Sequence, residues 1–205
     1  MLIIGLTGPT GSGKSAVSQI LKENGAEIID ADKIAHEIIL KGRPAYSELV
    51  AYFGDGILNN DGEIDRKTLG FTVFSQGGEK LEFLNSCTHK YIYDEMKKQL
   101  EAADKSGKQM AVIDAPLLIE GNFIKLCQKV WAVYADDCVR AKRIMGRDSI
   151  TYEQAMDRMK RQKPWEVYKK YADIIIDNST DIESLKGQVE YNLNNPGENN
   201  GKKQV

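Results

Sequence analysis

Gly8-Pro9-Thr10-Gly11-Ser12-Gly13-Lys14-Ser15 satisfies every position of the pattern GxxxxGK[ST]. It sits between a short apolar run, residues 2–6, and a segment whose Val17, Ile20 and Leu21 recur at helical spacing. These residue types suit phosphate. Glycines let consecutive backbone N–H groups turn toward an anion, and the start of a helix adds partial positive charge. The Lys14 ammonium can reach terminal phosphates, and the Ser15 hydroxyl can hold a hard cation. Gly8, Gly11, Ser12, Gly13, Lys14, Ser15 and Ala16 are therefore the expected nucleotide-binding residues, with Ser15 also a metal ligand. Gly11-x-Gly13-x-x-Ala16 followed by Asp30 also fits a relaxed dinucleotide fingerprint. The Lys-Ser pair weighs against that reading, because a dinucleotide site needs neither an ammonium nor a metal-binding hydroxyl there.

Three carboxylates stand at strand ends, where open parallel sheets bind ligands. Asp30 and Asp32 close the apolar run that starts at Ala26, and alternation sends both to one side if the chain stays extended that far. A hydroxyl that accepts a phosphoryl group needs a carboxylate to orient it and take its proton. Asp32 is the candidate, with Asp30 as a helix cap or a supporting partner; the plainer alternative has both cap a helix beginning near Lys33. Met110-Ala111-Val112-Ile113-Asp114 has the Walker B form, and Asp114 either reaches Mg²⁺ through water or caps a turn. Glu120, in Pro116-Leu117-Leu118-Ile119-Glu120, faces a substrate or is simply exposed.

Residues 139–170 carry ten basic side chains and four acidic ones. A solvated basic face is the simplest account. The sharper one is a lid whose guanidiniums close on a triphosphate and exclude water. Arg143 and Arg147 lie at i, i+4 with Arg140 three residues earlier, so one helix face can carry all three.

The elements that must position these groups follow from periodicity. Apolar runs at 2–6, 26–30, 110–114, 130–135 and 172–176 alternate with helical segments, the pattern of a parallel sheet covered on both faces. Pro44 opens a helix with an apolar stripe at Tyr46, Leu49, Val50 and Phe53, stopped by Gly54. Asp61-Gly62 marks a turn, Asp65 an N-cap, and 79–104 a longer helix. Thr151-Tyr152-Glu153-Gln154 fits a capping box. The tail 194–205, rich in Asn, Gly and Lys, reads as disordered.

Two hundred and five residues suffice for one globular domain with insertions, and a net charge of −2 gives the whole molecule no attraction for nucleic acid or anionic lipid. Three cysteines without a CxxC pair and two histidines argue against a disulfide framework or a structural zinc site. The N-terminus lacks a basic segment and reads as a strand, so the expectation is a soluble cytoplasmic protein. The scattered aromatics form no stacking platform for single strands. A GTP-driven switch needs an Asn/Thr-Lys-x-Asp guanine reader, which does not occur, and this favours ATP.

Together these residues resemble the dephospho-coenzyme A kinase family. The resemblance rests on Gly8 to Ser15, Asp30-Ala31-Asp32 with His36, Phe53-Gly54, Asp61 to Arg66, Leu69-Gly70, Val73-Phe74, and Leu84-Asn85 with His89. It continues through Pro116 to Glu120, Arg147-Asp148, Gln162, Ala172-Asp173 and Asp177-Asn178, so it spans about 2–190. It implies an α/β fold of the P-loop NTPase type, with three α/β/α layers, a five-stranded parallel sheet, a helical substrate domain and a lid insertion. The implied parts are a nucleotide-binding core (1–30, 108–138 and 164–193), a coenzyme A-binding domain (31–107) and a lid (139–163). The implied reaction is Mg²⁺-ATP-dependent phosphorylation of the ribose 3′-hydroxyl of dephospho-coenzyme A. Another small-molecule or nucleotide kinase of the same P-loop group is the near alternative, since the core alone does not name the acceptor. Asp32 would be the general base and Lys14, Arg143 and Arg147 catalytic cations. Arg66, His89, Leu117 and Glu120 would meet the substrate, with Asn178 near the nucleotide base and Asp114 beside the metal. The partner is that small molecule, without nucleic acid or membrane, and the chain acts as a monomer or weak homo-oligomer. Two positions depart from the family: Lys90 follows His89 where Pro is usual, and Arg140 stands where Gln is common.

Overall fold

The computed structural model describes residues 1–76 and 78–195. The tail expected from 194 onward lies mostly outside them. Five strands form one parallel sheet: β1 (Leu2–Thr7), β2 (Glu27–Asp30), β3 (Met110–Asp114), β4 (Lys129–Tyr134) and β5 (Ile174–Asp177), in the order β2-β3-β1-β4-β5. β1 is central, its Leu2 in register with Met110 of β3 and its Ile4 with Lys129 of β4. The order places β1 between two later strands, as crossover helices require.

Nine helices accompany the sheet among the described residues: α1 (Lys14–Glu23), α2 (Ala31–Glu37), α3 (Pro44–Phe53), α4 (Arg66–Gln76), α5 (Glu79–Lys105), α6 (Asp137–Asp148), α7 (Tyr152–Lys160), α8 (Trp165–Tyr171) and α9 (Ile182–Asn194). On one sheet face Ile4, Leu6, Trp131, Val133 and Ile176 pack with Val17, Ile20 and Leu21 of α1 and Leu185 and Val189 of α9. Alternation turns Ala132 to the opposite face, where it meets Tyr168 of α8 and Ala172. The sheet is thus covered on both sides, which is why its strands read as unbroken apolar runs.

The chain divides into two compact units, one of Met1–Ile29 with the chain from Ala103 onward, the other Asp30–Ala102. The basic segment lies in the first unit, where α6 and α7 pack through Ala141, Ile144, Ala155 and Met159. The second unit holds α2, α3, α4 and most of α5.

Local signals set most helix ends. Pro44 starts α3 and Gly54 stops it at φ 77°. Asp65 accepts from the Lys67 and Thr68 amides at 2.8 and 2.9 Å. Both hydrogen bonds of the Thr151–Gln154 capping box form. α5 runs unbroken through Lys90, a position at which proline would remove a hydrogen bond. β5 starts two residues later than expected because Asp173 is spent as a hook: its amide donates to the Val130 carbonyl and its carboxylate accepts from the Val130 amide, both at 2.9 Å.

The cysteines differ sharply in setting. Cys87 and Cys127 both have thiols pushed up to about 12, Cys127 by burial and Cys87 by burial and then by Glu48 beside it. Cys138 is exposed. At pH 8 a disulfide reagent is expected to modify one thiol per chain rapidly, Cys138, and the other two only on unfolding. Any fast thiol in the Cys138→Ser variant contradicts this packing.

Candidate active site

The loop from Gly8 to Ser15 leaves β1 and enters α1. Gly11 and Gly13 have φ of 77° and 87°, the left-handed region that favours glycine. Space makes the same demand. A Cβ on Gly11 would stand 2.8 Å from the Arg140 carbonyl oxygen, and one on Gly13 would overlap the Asn178 amide nitrogen.

Distant side chains hold the backbone of this loop. Asn178 Nδ2 donates to the Ser12 carbonyl at 2.8 Å, and Arg143 Nη1 donates to the Gly11 and Ser12 carbonyls at 3.4 and 3.3 Å. Arg140 Nε donates to the Thr10 carbonyl at 3.0 Å, while the Thr10 amide donates to Gln162 Oε1 at 2.8 Å. The Ser12 amide is used by Pro9 and that of Ala16 by Gly13. The amides of Gly11, Gly13, Lys14 and Ser15 have no acceptor among the described residues. Four donors clustered at a helix start, beside two guanidiniums and an ammonium, form an anion cradle.

Lys14 Nζ pairs with Asp114 at the end of β3, both side chains being largely buried. The ammonium has three donors, so it can keep Asp114 and still reach a phosphate oxygen. Ser15 follows at the second position of α1. No group of three or more His, Cys, Asp or Glu able to hold a metal alone occurs among the described residues. Mg²⁺ nevertheless fits the Ser15 hydroxyl and Asp114 carboxylate, because that ion is commonly held by one or two protein oxygens together with substrate phosphates.

Arginines at regular spacing on α6 meet different fates. Arg140 is buried and ties Asp137 to Thr10, and Arg143 lies on the loop. Arg147 instead grips Asp148 through two hydrogen bonds of 2.8 and 2.9 Å, and Arg158 joins the same carboxylate at 2.5 Å. The Arg147 guanidinium holds the Asp148 carboxyl below its ordinary range. Glu120 pairs with Lys163 at 3.3 Å, its other oxygen buried without a partner, and Leu117 is exposed.

The second unit carries the other expected residues. β2 ends at Asp30, whose carboxylate accepts from the Lys33 amide at 3.0 Å, so α2 starts at Ala31. Asp32 is therefore not extended beside Asp30, as strand alternation suggested. It lies exposed in the first turn of α2, where the helix dipole favours its charge. Arg66 opens α4 and its guanidinium meets His36 Nε2. His89 is half-buried on α5. Arg140, which spacing grouped with Arg143 and Arg147, and Gln162 bracket Thr10; that shared partner was not readable from spacing, because the contacts span 130 and 152 residues.

The family model for dephospho-CoA kinase matches residues 2–184. Similar curated proteins include the dephospho-CoA kinase of Carboxydothermus hydrogenoformans, 44% identical over 91% of this chain and 90% of that one. The dephospho-CoA kinase of Halalkalibacterium halodurans is 40% identical over 92% and 93%. Among solved structures, dephospho-CoA kinase from Campylobacter jejuni matches at a TM-score of 0.70 and 29% identity, covering 95% of this chain and 96% of that one. A shikimate kinase from Acinetobacter baumannii shares the fold, at a TM-score of 0.53 and 18% identity over 96% and 93%.

Asn178→Ala leaves the Ser12 carbonyl without its closest donor. Exposing such a group's need costs about 1–3 kcal/mol. The expected result is a melting temperature lower by several degrees and nucleotide affinity weakened about tenfold. Calorimetry and nucleotide titration check it; unchanged affinity would show that Arg143 suffices to hold the Ser12 carbonyl.

Proposed function

The chain belongs to the dephospho-CoA kinase family, and from that premise we propose that its Gly8–Ser15 loop holds the ATP phosphates while Asp32 takes the proton of the ribose 3′-hydroxyl. The family catalyses the final step of coenzyme A biosynthesis, and this protein does the same, using ATP as its kinase family implies. The observation that carries the residue assignment is the cradle of four backbone amides without an acceptor among the described residues, with Lys14 and Arg143 beside it.

In the transfer the 3′-oxygen forms a bond to the γ-phosphorus as the bond from that phosphorus to the β,γ-bridging oxygen breaks. ADP leaves, and the hydroxyl proton passes to Asp32. The loop amides bind the phosphates, and Lys14 follows the charge that moves onto the leaving oxygen. Arg143 adds positive charge where the transferred group crosses, and Arg147 contributes on leaving Asp148. Ser15 and Asp114 would hold Mg²⁺, which supplies neutralisation of the phosphate oxygens. Asn178 lies near the nucleotide base and holds the loop backbone through the Ser12 carbonyl. Arg66, His89, Leu117 and Glu120 are the residues we assign to the acceptor.

We read the partner as this small molecule, with neither nucleic acid nor membrane involved; no helix among the described residues is long and apolar enough to cross a membrane. A cytoplasmic monomer or weak homo-oligomer suffices for the reaction.

Asp32→Asn is expected to lower kcat by a factor on the order of 10²–10⁴, with little change in the KM for ATP. Steady-state ADP release with dephospho-CoA, AMP, CMP and shikimate as acceptors measures this and the acceptor preference together. A near-normal kcat in the variant returns Asp32 to the role of a dipole partner in α2. A preference for AMP or CMP overturns the acceptor.

A further inference from the structure

Gln162 is tied to the phosphate loop although no step of the transfer uses it. It lies in the link between α7 and α8, where its own amide donates to the Met159 carbonyl at 3.1 Å, so the last turn of α7 fixes its backbone. Its side-chain oxygen then accepts from the Thr10 amide at 2.8 Å, across 152 residues. Arg140 reaches the same residue from α6, its Nε donating to the Thr10 carbonyl at 3.0 Å while its Nη1 donates to Asp137 at 2.8 Å. Thr10 is therefore clasped on both sides by the two ends of one segment. Between those ends α6 and α7 are packed together through Ala141, Ile144, Ala155 and Met159, and Asp148 at the end of α6 accepts from Arg158 of α7.

Peptide planarity turns the clasp into a control on the cradle. The Thr10 amide shares its planar unit with the Pro9 carbonyl, and the Thr10 carbonyl shares the next with the Gly11 amide. The first unit is held at both ends, by Gln162 and by the Ser12 amide, which donates to the Pro9 carbonyl at 3.2 Å. The second is held at its carbonyl by Arg140, which turns the Gly11 N–H the opposite way, as one of the four donors of the cradle. With both planes pinned, rotation at Thr10 is blocked, so Gln162 and Arg140 together set the direction of the Gly11 donor. The α6 backbone also closes on this point: a Cβ on Gly11 would stand 3.0 Å from the Arg140 Cα.

We propose that Gln162 is a positioning residue for nucleotide binding, orienting the Gly11 amide toward the phosphates through Thr10, and that the same clasp makes a bound nucleotide stiffen the α6–α7 pair. Coupling of this kind is reciprocal: whatever the anchored pair adds to phosphate affinity, bound phosphate returns to the anchoring. Gln162 touches no reacting atom. The inference rests on the reading of Gly8–Ser15 as the phosphate loop and needs neither the acceptor nor Asp32.

Two variants of the full chain test it with ADP alone. Gln162→Met keeps the length of the side chain and removes the acceptor, whereas Gln162→Glu keeps an acceptor oxygen. In calorimetric titration Gln162→Met should bind ADP about three- to tenfold more weakly than the wild-type chain, the loss expected for one hydrogen bond. In turnover its KM for ATP should rise by the same factor and its KM for dephospho-CoA should not change. In amide hydrogen exchange Thr10 should be protected in the wild-type chain and in Gln162→Glu and exposed in Gln162→Met, and ADP should slow exchange in α7 of the wild-type chain but not of Gln162→Met. A lower melting temperature in Gln162→Met with unchanged ADP affinity makes the contact merely structural and overturns the proposal. Should Gln162→Met not fold, loss of Thr10 protection in a folded Gln162→Glu overturns it instead. Failure of the phosphate-loop reading is distinguishable, because the wild-type chain itself would then bind no ADP.

Discussion

The phosphate cradle depends on where the carbonyls of Thr10, Gly11 and Ser12 are held. A peptide unit that commits its carbonyl to one side turns the next amide to the other, so fixing three oxygens orients the donors that follow. Arg140, Arg143 and Asn178 do this from α6 and from the end of β5. Two of the three are guanidiniums, whose hydrogen bonds are stronger than neutral ones and bring positive charge to the same place. The glycines are then obligatory for two reasons at once: their φ is left-handed, and Arg140 and Asn178 occupy the space that a Cβ would need.

Charge in the first unit is distributed by contact rather than by count. Three arginines at spacings of three and four residues on α6 do different work. Arg140 is consumed by structure, Arg143 is shared between structure and charge, and Arg147 is stored on Asp148 together with Arg158. Lys14 is likewise paired, with Asp114. Largely buried, the pair avoids the penalty of an isolated charge and remains poised beside the loop.

The second unit follows different logic. α3 is built by ordinary signals, with proline first and glycine last, and α2 starts on a capping aspartate. α4 has a good cap in Asp65 and a buried pair in Leu69 and Val73, but its outer face spends stability on cations, a glycine and two exposed rings.

The sequence by itself determined the local features. The eight-residue loop, the strand runs, the proline, glycine and aspartate helix ends and the capping box all depend on residues within a turn or two of one another, where spacing and propensity govern. The family was legible for a related reason, since the order of short motifs survives in the chain. Where a signal was local but conditional it failed: Asp30 took the cap, the strand stopped, and Asp32 entered a helix instead of sharing a strand face. Only the tertiary structure decided which of the α6 arginines touch the loop, that Gln162 and Arg140 clasp Thr10, and that Asn178 donates to the Ser12 carbonyl. Those contacts join residues up to 166 positions apart. Nothing in the local pattern encodes such a partner, because it is set by the order in which the strands assemble beside β1.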